Sequence, residues 1–352
     1  MKSVFPGLTL AIALALLGQW LSQFIGIDLM GMAKSPLSAT MVAIVLGLLI
    51  GNTLTLPAIF KPGISFGVKR VLRFGIVALG IRLSLVEVGT IGLQALPVIL
   101  VAVTTAILAV RYLARRVGMD DRLGTLIAVG TSVCGGTAIV ATAPAIGAKD
   151  DQVSYAVACI TLFGMVAMLV YPFATHWFFD GDGFASGLFL GTAVHDTAQV
   201  AGAGLVYQQF YNDPEALNAA TVTKLVRNLG MLIIIPLMSI LYCRKNVAGG
   251  KAPPWYTMVP LFVLGFAAMS LLRTLGDATT PALGFLSAAN WAHIVSIVAQ
   301  AATFLLTIAM ACVGLCTSIS GIRTIGLKPL AIGLFSALLV GVVSATTISV
   351  LY

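Results

Sequence analysis

The sequence predicts an all-α membrane protein of about eleven transmembrane segments, with inverted repeats and two broken or re-entrant helices. Hydrophobic residues make up 59% of the 352-residue chain and charged residues only 9%, against roughly 25% charged in soluble globular domains. The mean hydropathy is +1.04, and apolar stretches of about 20 residues, the length a helix needs to cross a bilayer, recur from end to end. Two of these stretches contain clusters of Gly, Thr and Ser that do not favour an unbroken helix. A β-barrel would instead show short alternating segments.

Taken in order, the first span, Val4–Phe24, follows Lys2 and has no small-residue cleavage site before Gln19, so it is expected to be a retained helix. Leu37–Leu56, Ile64–Leu85 and Gly89–Val110 follow, with Arg82 and Glu87 near a helix end and expected at the interface. Leu123–Ile146 contains Gly130-Thr-Ser-Val-Cys-Gly-Gly-Thr-Ala138, and Phe184–Tyr207 contains Gly191-Thr-Ala-Val-His-Asp-Thr-Ala198; each run should interrupt its helix. Between them lies Val153–Phe178, kinked at Pro172, with His176 beside Trp177 as an interfacial anchor. Leu217–Tyr242 holds Lys224, Arg227 and a kink at Pro236. Trp255–Leu272, with Pro260, Trp291–Thr317, with His293 near Trp291, and Gly326–Leu351 complete the set. Connections are short, so residues 1–352 are expected to form a single polytopic transport domain embedded in lipid.

The net charge of +8 comes from basic residues beside membrane segments, which set orientation and do not indicate nucleic-acid binding. Arg111, Arg115, Arg116 and Arg122 crowd one loop and Arg244, Lys245 and Lys251 another; Lys2, Lys61, Lys69, Arg70, Arg323 and Lys328 fall on the same side. The other side holds Lys34, Lys149 and Arg273 with Asp213, Glu215 and Asp277. The asymmetry places the N-terminus in the cytoplasm and the C-terminus outside, whether the two glycine-rich segments cross or re-enter. Cys134, Cys159, Cys243, Cys312 and Cys316 show no Cys-x-x-Cys spacing and read as small apolar residues.

An internal repeat aligns Ala78–Leu96 with Cys312–Leu330 without gaps, matching Gly80 with Gly314, Ser84 with Ser318, Thr90 with Thr324, Ile91 with Ile325, Gly92 with Gly326, Leu93 with Leu327 and Leu96 with Leu330. The copies run in opposite directions through the membrane, as in transporters built from inverted repeats. The Gly47-xxx-Gly51 and Gly187-xxx-Gly191 spacings suit close helix packing, within one chain or between the copies of a homodimer.

Lys224 and Arg227 are spaced to share a helix face, with Asn228 adjoining. A basic residue at mid-bilayer costs about 2.5–3.5 kcal/mol on insertion scales, so a negative partner is expected: Asp196 or an anionic substrate. Asp196 can bind Na⁺, accept a proton or neutralise Arg227, and His195 can relay a proton, its ordinary pKa lying near neutrality. Thr131, Ser132 and Thr137 supply hydroxyls, and Gly135 and Gly136 let backbone amides approach a ligand. A half-helix starting after those glycines aims its positive end at an anion. The expectation is substrate binding by Thr131, Ser132, Gly135, Gly136, Thr137, Lys224, Arg227 and Asn228, and ion coupling by His195 and Asp196. No catalytic residue, metal centre or cofactor is expected beyond Na⁺ or H⁺. Gly63-Ile-Ser-Phe-Gly67 matches a hydrolase pattern but follows Lys61-Pro62 at a membrane edge and not a strand.

The two glycine-rich runs and Thr223-Lys-Leu-Val-Arg-Asn228, with Pro62-Gly63 and Ala78-Leu-Gly-Ile-Arg82, resemble the bacterial family labelled sulfate exporters over nearly the whole chain. The resemblance implies export of an oxidised sulfur anion through the cytoplasmic membrane. It also implies a general plan similar to sodium–bile-acid symporters, with inverted repeats and crossing broken helices. A carrier of a small organic anion, carboxylate or sulfonate, and a passive anion channel are the alternatives.

Overall fold

The computed structural model describes residues 3–29, 38–243, 261–279, 282, 286–317 and 326–352. Lys2, Lys34, Arg244, Lys245, Lys251, Pro260, Arg323 and the second repeat copy from Ser318 to Ile325 lie outside the described residues. Among the described residues the structure is helical: α1 Phe5–Gln23, α2 Ala39–Thr53, α3 Lys61–Phe66, α4 Leu72–Leu79, α5 Leu85–Arg116, α6 Asp121–Ser132, α7 Gly136–Ile146, α8 Asp150–Phe178, α9 Gly183–Ala193, α10 Thr197–Tyr211, α11 Pro214–Leu229, α12 Met231–Cys243, α13 Leu261–Ala278, α14 Ala288–Cys316 and α15 Leu327–Leu351. A π-helical stretch, Gly67–Val71, joins α3 to α4, and a 3-10 turn, Gly80–Arg82, ends α4.

Among the described residues, seven stretches are long and apolar enough to cross a membrane: Phe5–Gln23, Leu85–Arg116, Asp150–Phe178, Pro214–Tyr242, Leu261–Ala278, Ala288–Cys316 and Leu327–Leu351. The chain is thus a multi-pass helical membrane protein. The other four expected spans take different forms. Leu37–Leu56 contains the 15-residue α2, and Ile64–Leu85 is a chain of short α, π and 3-10 pieces. Leu123–Ile146 and Phe184–Tyr207 are each split in two, as their Gly, Thr and Ser content leads one to expect. Polar caps mark several starts: Ser38 accepts from the Met41 amide (3.2 Å), Asp120 from Arg122 (2.9 Å) and Asp182 from Ala185 (3.0 Å).

The chain forms two compact units that interleave along the sequence. The first comprises Met1–Ile91, Gly204–Asn218 and Leu261–Ser318; the second comprises Gly92–Ala203, Ala219–Pro260 and Ile319–Tyr352. In the first unit, α2 and α14 approach closely through glycine: a Cβ on Gly47 would lie 2.5 Å from the Ala311 carbonyl oxygen, and one on Gly314 2.4 Å from that of Ile44. Gly51 faces Leu315 in the same way, so the Gly47-xxx-Gly51 stripe serves packing within the chain. A buried hydrogen bond between Thr40 and Thr307 (3.0 Å) ties the two helices. The aligned repeat copies end their helices at equivalent positions, Arg82 and Cys316. Glu87 is exposed and caps its own helix by accepting from the Ser84 amide (2.7 Å). Arg82 is half-buried and turned onto Gln208 and Thr303.

The second unit is built on an apolar core that includes Leu126, Ile127, Ile139, Ile146, Ile160 and Ile235. Its α6/α7 and α9/α10 helix pairs each stop and restart within three residues.

Candidate functional site

Both breaks follow one pattern. α6 ends at Ser132 and α7 begins at Gly136; α9 ends at Ala193 and α10 begins at Thr197. Each start and each end is 61 residues from its counterpart, so the two runs are structural equivalents as well as similar strings. Each first half carries a hydroxyl bonded back to its own helix near the end, Ser132 to the Ala128 carbonyl (2.6 Å) and Thr192 to that of Leu188 (2.7 Å), an arrangement that competes with helix continuation. Gly135 then takes φ +73°, a conformation open to glycine and strained for other residues. A Cβ there would lie 3.0 Å from Asp196 Oδ2. The two breaks therefore touch each other.

A broken helix leaves carbonyls unsatisfied at the end of its first half and amides unsatisfied at the start of its second. Here different side chains serve the two sets. Arg227 donates from Nε to the Ser132 carbonyl (2.8 Å), from Nη1 to those of Thr192 (2.7 Å), Val194 (3.1 Å) and Gly191 (3.3 Å), and from Nη2 to that of Thr131. Lys224 Nζ donates to the carbonyls of Val133 (3.0 Å), Val194 (3.2 Å) and His195. Both side chains are about 1% exposed. Two cations on one face of α11 thus hold the carbonyl ends of both first halves, where the helix dipoles favour positive charge.

Asp196 serves the amide ends. Its carboxylate accepts from the Ala198 amide (2.9 Å) at the start of α10, and its Oδ2 lies against Gly135 at the head of α7, 3.0 Å from where a Cβ would stand. Gln199 accepts from the Asp196 amide (3.2 Å) and donates to the Thr161 carbonyl (3.1 Å), forming with Asp196 a reciprocal cap at the head of α10. Asn228 donates to the Thr197 hydroxyl (3.2 Å), so α11 also braces the start of α10.

The structure separates the sequence-predicted residues by access. Thr131, Ser132, Gly135, His195, Lys224, Arg227 and Asn228 are buried, whereas Gly136 and Asp196 are half-buried and Thr137 is exposed. The amide ends are thus less enclosed by the chain than the carbonyl ends. Of the ten buried side-chain polar atoms without a hydrogen-bond partner among the described residues, five belong to four residues beside the crossing: Thr131 Oγ1, both ring nitrogens of His195, Thr223 Oγ1 and Asn228 Oδ1. Buried polar groups are otherwise nearly always bonded, so this concentration marks unspent polar capacity at the crossing. Thr197, Gln199 and Thr223 are not among the residues that the sequence marks for the site, yet they stand at the crossing. The Asp196-x-x-Gln199 spacing is a legible capping signal that could have placed Gln199.

Comparison with known proteins places this chain in a family. A family model described as conserved hypothetical protein 698 matches residues 6–333. The chain belongs to this family. Its relatives include a UPF0324 membrane protein of Streptococcus agalactiae, 32% identical over 351 residues that cover 99% of this chain and 98% of the relative. The UPF0324 inner membrane protein YeiH of Escherichia coli K12 is 30% identical, covering 96% and 91%. A Fusobacterium nucleatum UPF0324 membrane protein is 31% identical, covering 95% and 94%. The family thus accounts for the whole length of the chain as a membrane protein. No solved structure matches it.

Proposed function

We propose that this chain is a secondary carrier, not an enzyme, that exports a small inorganic oxyanion such as sulfate or sulfite across the bacterial cytoplasmic membrane, coupled to H⁺ or Na⁺. The observation that carries the proposal is the carboxylate of Asp196, bonded to the N-terminal Ala198 amide of α10 and set against Gly135 at the head of α7. Two helix N-termini that meet at one point favour an anion there, and the protein's own carboxylate already uses that preference. Behind it, the basic side chains of Lys224 and Arg227 outnumber the one carboxylate, Asp196, two to one.

A substrate oxyanion binds at the amides and hydroxyls of Gly136, Thr137 and Thr197, beside Asp196. Lys224 and Arg227 neutralise it from behind the helix ends, while Thr131, Ser132, Gly135 and Asn228 set the shape of the crossing. Negative charge on Asp196 opposes the incoming anion, and uptake of H⁺ or Na⁺ at Asp196 removes the opposition. His195, with both ring nitrogens unspent, relays the proton in the H⁺ case. Anion and cation binding are coupled for this reason. In this scheme the N-terminus is cytoplasmic and the C-terminus outside.

The test is counterflow of radiolabelled sulfite and sulfate in proteoliposomes, with Asp196→Asn alongside the natural chain. Saturable exchange that depends on a Na⁺ or H⁺ gradient, with the dependence lost in Asp196→Asn, is expected. Gradient dependence that survives in the variant removes Asp196 from coupling. Absence of saturable flux for sulfite, sulfate, small carboxylates and sulfonates, in protein shown to be folded, overturns the carrier assignment.

A further inference from the structure

The first unit contains a cation that the helix crossing does not use. Arg82 ends the 3-10 turn after α4, half-buried, and among the described residues no carboxylate lies within ion-pair distance of it. Its guanidinium donates from Nη1 to Gln208 Oε1 (2.8 Å) and from Nη2 to Thr303 Oγ1 (3.0 Å). Both partners are neutral. A guanidinium has five N–H groups, so three remain unspent. Gln208 presents its carbonyl oxygen to the arginine, which leaves its amide NH₂ as two further donors, and Thr303 passes its own proton to the Ala299 carbonyl (3.0 Å). The cluster is thus rich in donors and in positive charge and has no anion.

It is also held rigidly. The Gly80 carbonyl accepts from Ser270 Oγ (3.0 Å) and the Ile81 carbonyl from Arg273 Nη1 (3.3 Å), fixing the 3-10 turn to α13. A Cβ on Gly80 would lie 2.4 Å from the Phe266 carbonyl oxygen, a measure of how closely the two backbones meet. Arg273 and Ala299, the residues to which this cluster is bonded, also line a cavity of about 550 Å³ together with Asp277, Trp291 and Ser296. Arg273 is neutralised there by Asp277 (2.5 Å), whose other oxygen accepts from Trp291 Nε1 (2.8 Å). Ala299 and Thr303 are four residues apart on α14, about one helical turn or 6 Å. The cavity wall therefore lies one turn from a fixed guanidinium that has no counter-ion.

We propose that Arg82, with Gln208 and the adjoining cavity, forms a second binding site for a small oxyanion, separate from the crossing of the broken helices. A planar fork with parallel N–H groups suits an oxyanion, which a lysine can match in charge but not in geometry. Arg82, where the crossing cations spend their donors on backbone carbonyls, keeps its own free for a ligand. The inference rests on the reading of the chain as an anion carrier, and it adds a second anion site in the first unit.

The experiment is equilibrium binding of radiolabelled sulfate, and separately sulfite, to the full chain purified in detergent, read as affinity and as sites per chain. Two sites in the natural chain are expected, falling to one in Arg82→Gln, with affinity at the second site weakened at least tenfold in Arg82→Lys. If Arg82→Gln does not give monodisperse protein, the Gln208→Leu/Thr303→Val double variant, which keeps the charge but removes its bracing, should weaken the second site three- to tenfold. Unchanged affinity and stoichiometry in the folded variants overturns the assignment to Arg82 and leaves the crossing site standing. Failure of the natural chain to bind either anion overturns the anion-carrier reading itself.

Discussion

Replacing Arg227 with glutamine removes the group that caps two helix ends at once. The guanidinium donates to carbonyls of both α6 and α9, at 2.7–3.3 Å for the bonds from Nε and Nη1, and it is 1% exposed. A hydrogen bond from a charged group is worth about 1.5–3 kcal/mol, and a buried acceptor left alone costs about 1–3 kcal/mol. A glutamine amide can restore no more than two of the contacts and supplies no charge against the helix dipoles. Removing one member of a buried charged network usually costs about 3–5 kcal/mol, and we expect that range. With about 2–4 °C of Tm per kcal/mol for domains of 150–250 residues, the expected drop is roughly 6–20 °C. The cysteines supply the assay. Cys134, Cys159 and Cys312 are buried free thiols, so a thiol-reactive fluorophore reports unfolding in detergent as they become exposed. Arg227→Lys should fall between the natural chain and Arg227→Gln, because it keeps charge but loses the fork. A change below about 2 °C for Arg227→Gln would refute the reasoning, since the carbonyl ends would then have to be satisfied without it.

Two further outcomes bear on the same architecture. Gly135→Ala places a side chain at φ +73° and a methyl 3.0 Å from Asp196 Oδ2, so a loss of about 1–3 kcal/mol is expected; thermal unfolding checks it, and an unchanged midpoint would mean the break relaxes freely. A double-mutant cycle on Thr40→Val and Thr307→Val should give a coupling of about 0.6 kcal/mol, the typical value for hydrogen bonds between membrane helices; zero coupling would mean the two hydroxyls are satisfied independently.

Much of the helix crossing was readable in the sequence, because the residues that weaken a helix are identifiable without knowledge of tertiary contacts. The glycines and hydroxyls of residues 130–138 and 191–198 mark both breaks, and the spacing of Lys224 and Arg227 puts them on one face. What each cation touches was not readable. An intramembrane arginine needs a partner, and the sequence offers Asp196 or a substrate as candidates, but it does not display backbone carbonyls. The structure spends Arg227 on those carbonyls. Arg82 shows the same limitation in reverse: a residue near a helix end reads as interfacial, and only the fold brings Gln208 and Thr303, 126 and 221 residues away, to its guanidinium. The piecewise path from Lys61 to Arg82 was also hidden, since its composition is as apolar as that of a continuous helix.

The two sets of ties at the crossing share no atom. Eight hydrogen bonds from Lys224 and Arg227 fasten the ends of α6 and α9, whereas the starts of α7 and α10 meet at a single short carboxylate. A competitor for the amides there has one side chain to dislodge, with two rotatable bonds, and leaves the cationic clasp untouched. The joint is therefore firm on one side and releasable on the other. Loss of that one carboxylate would free the heads of the second half-helices while the first halves remain a fixed mount.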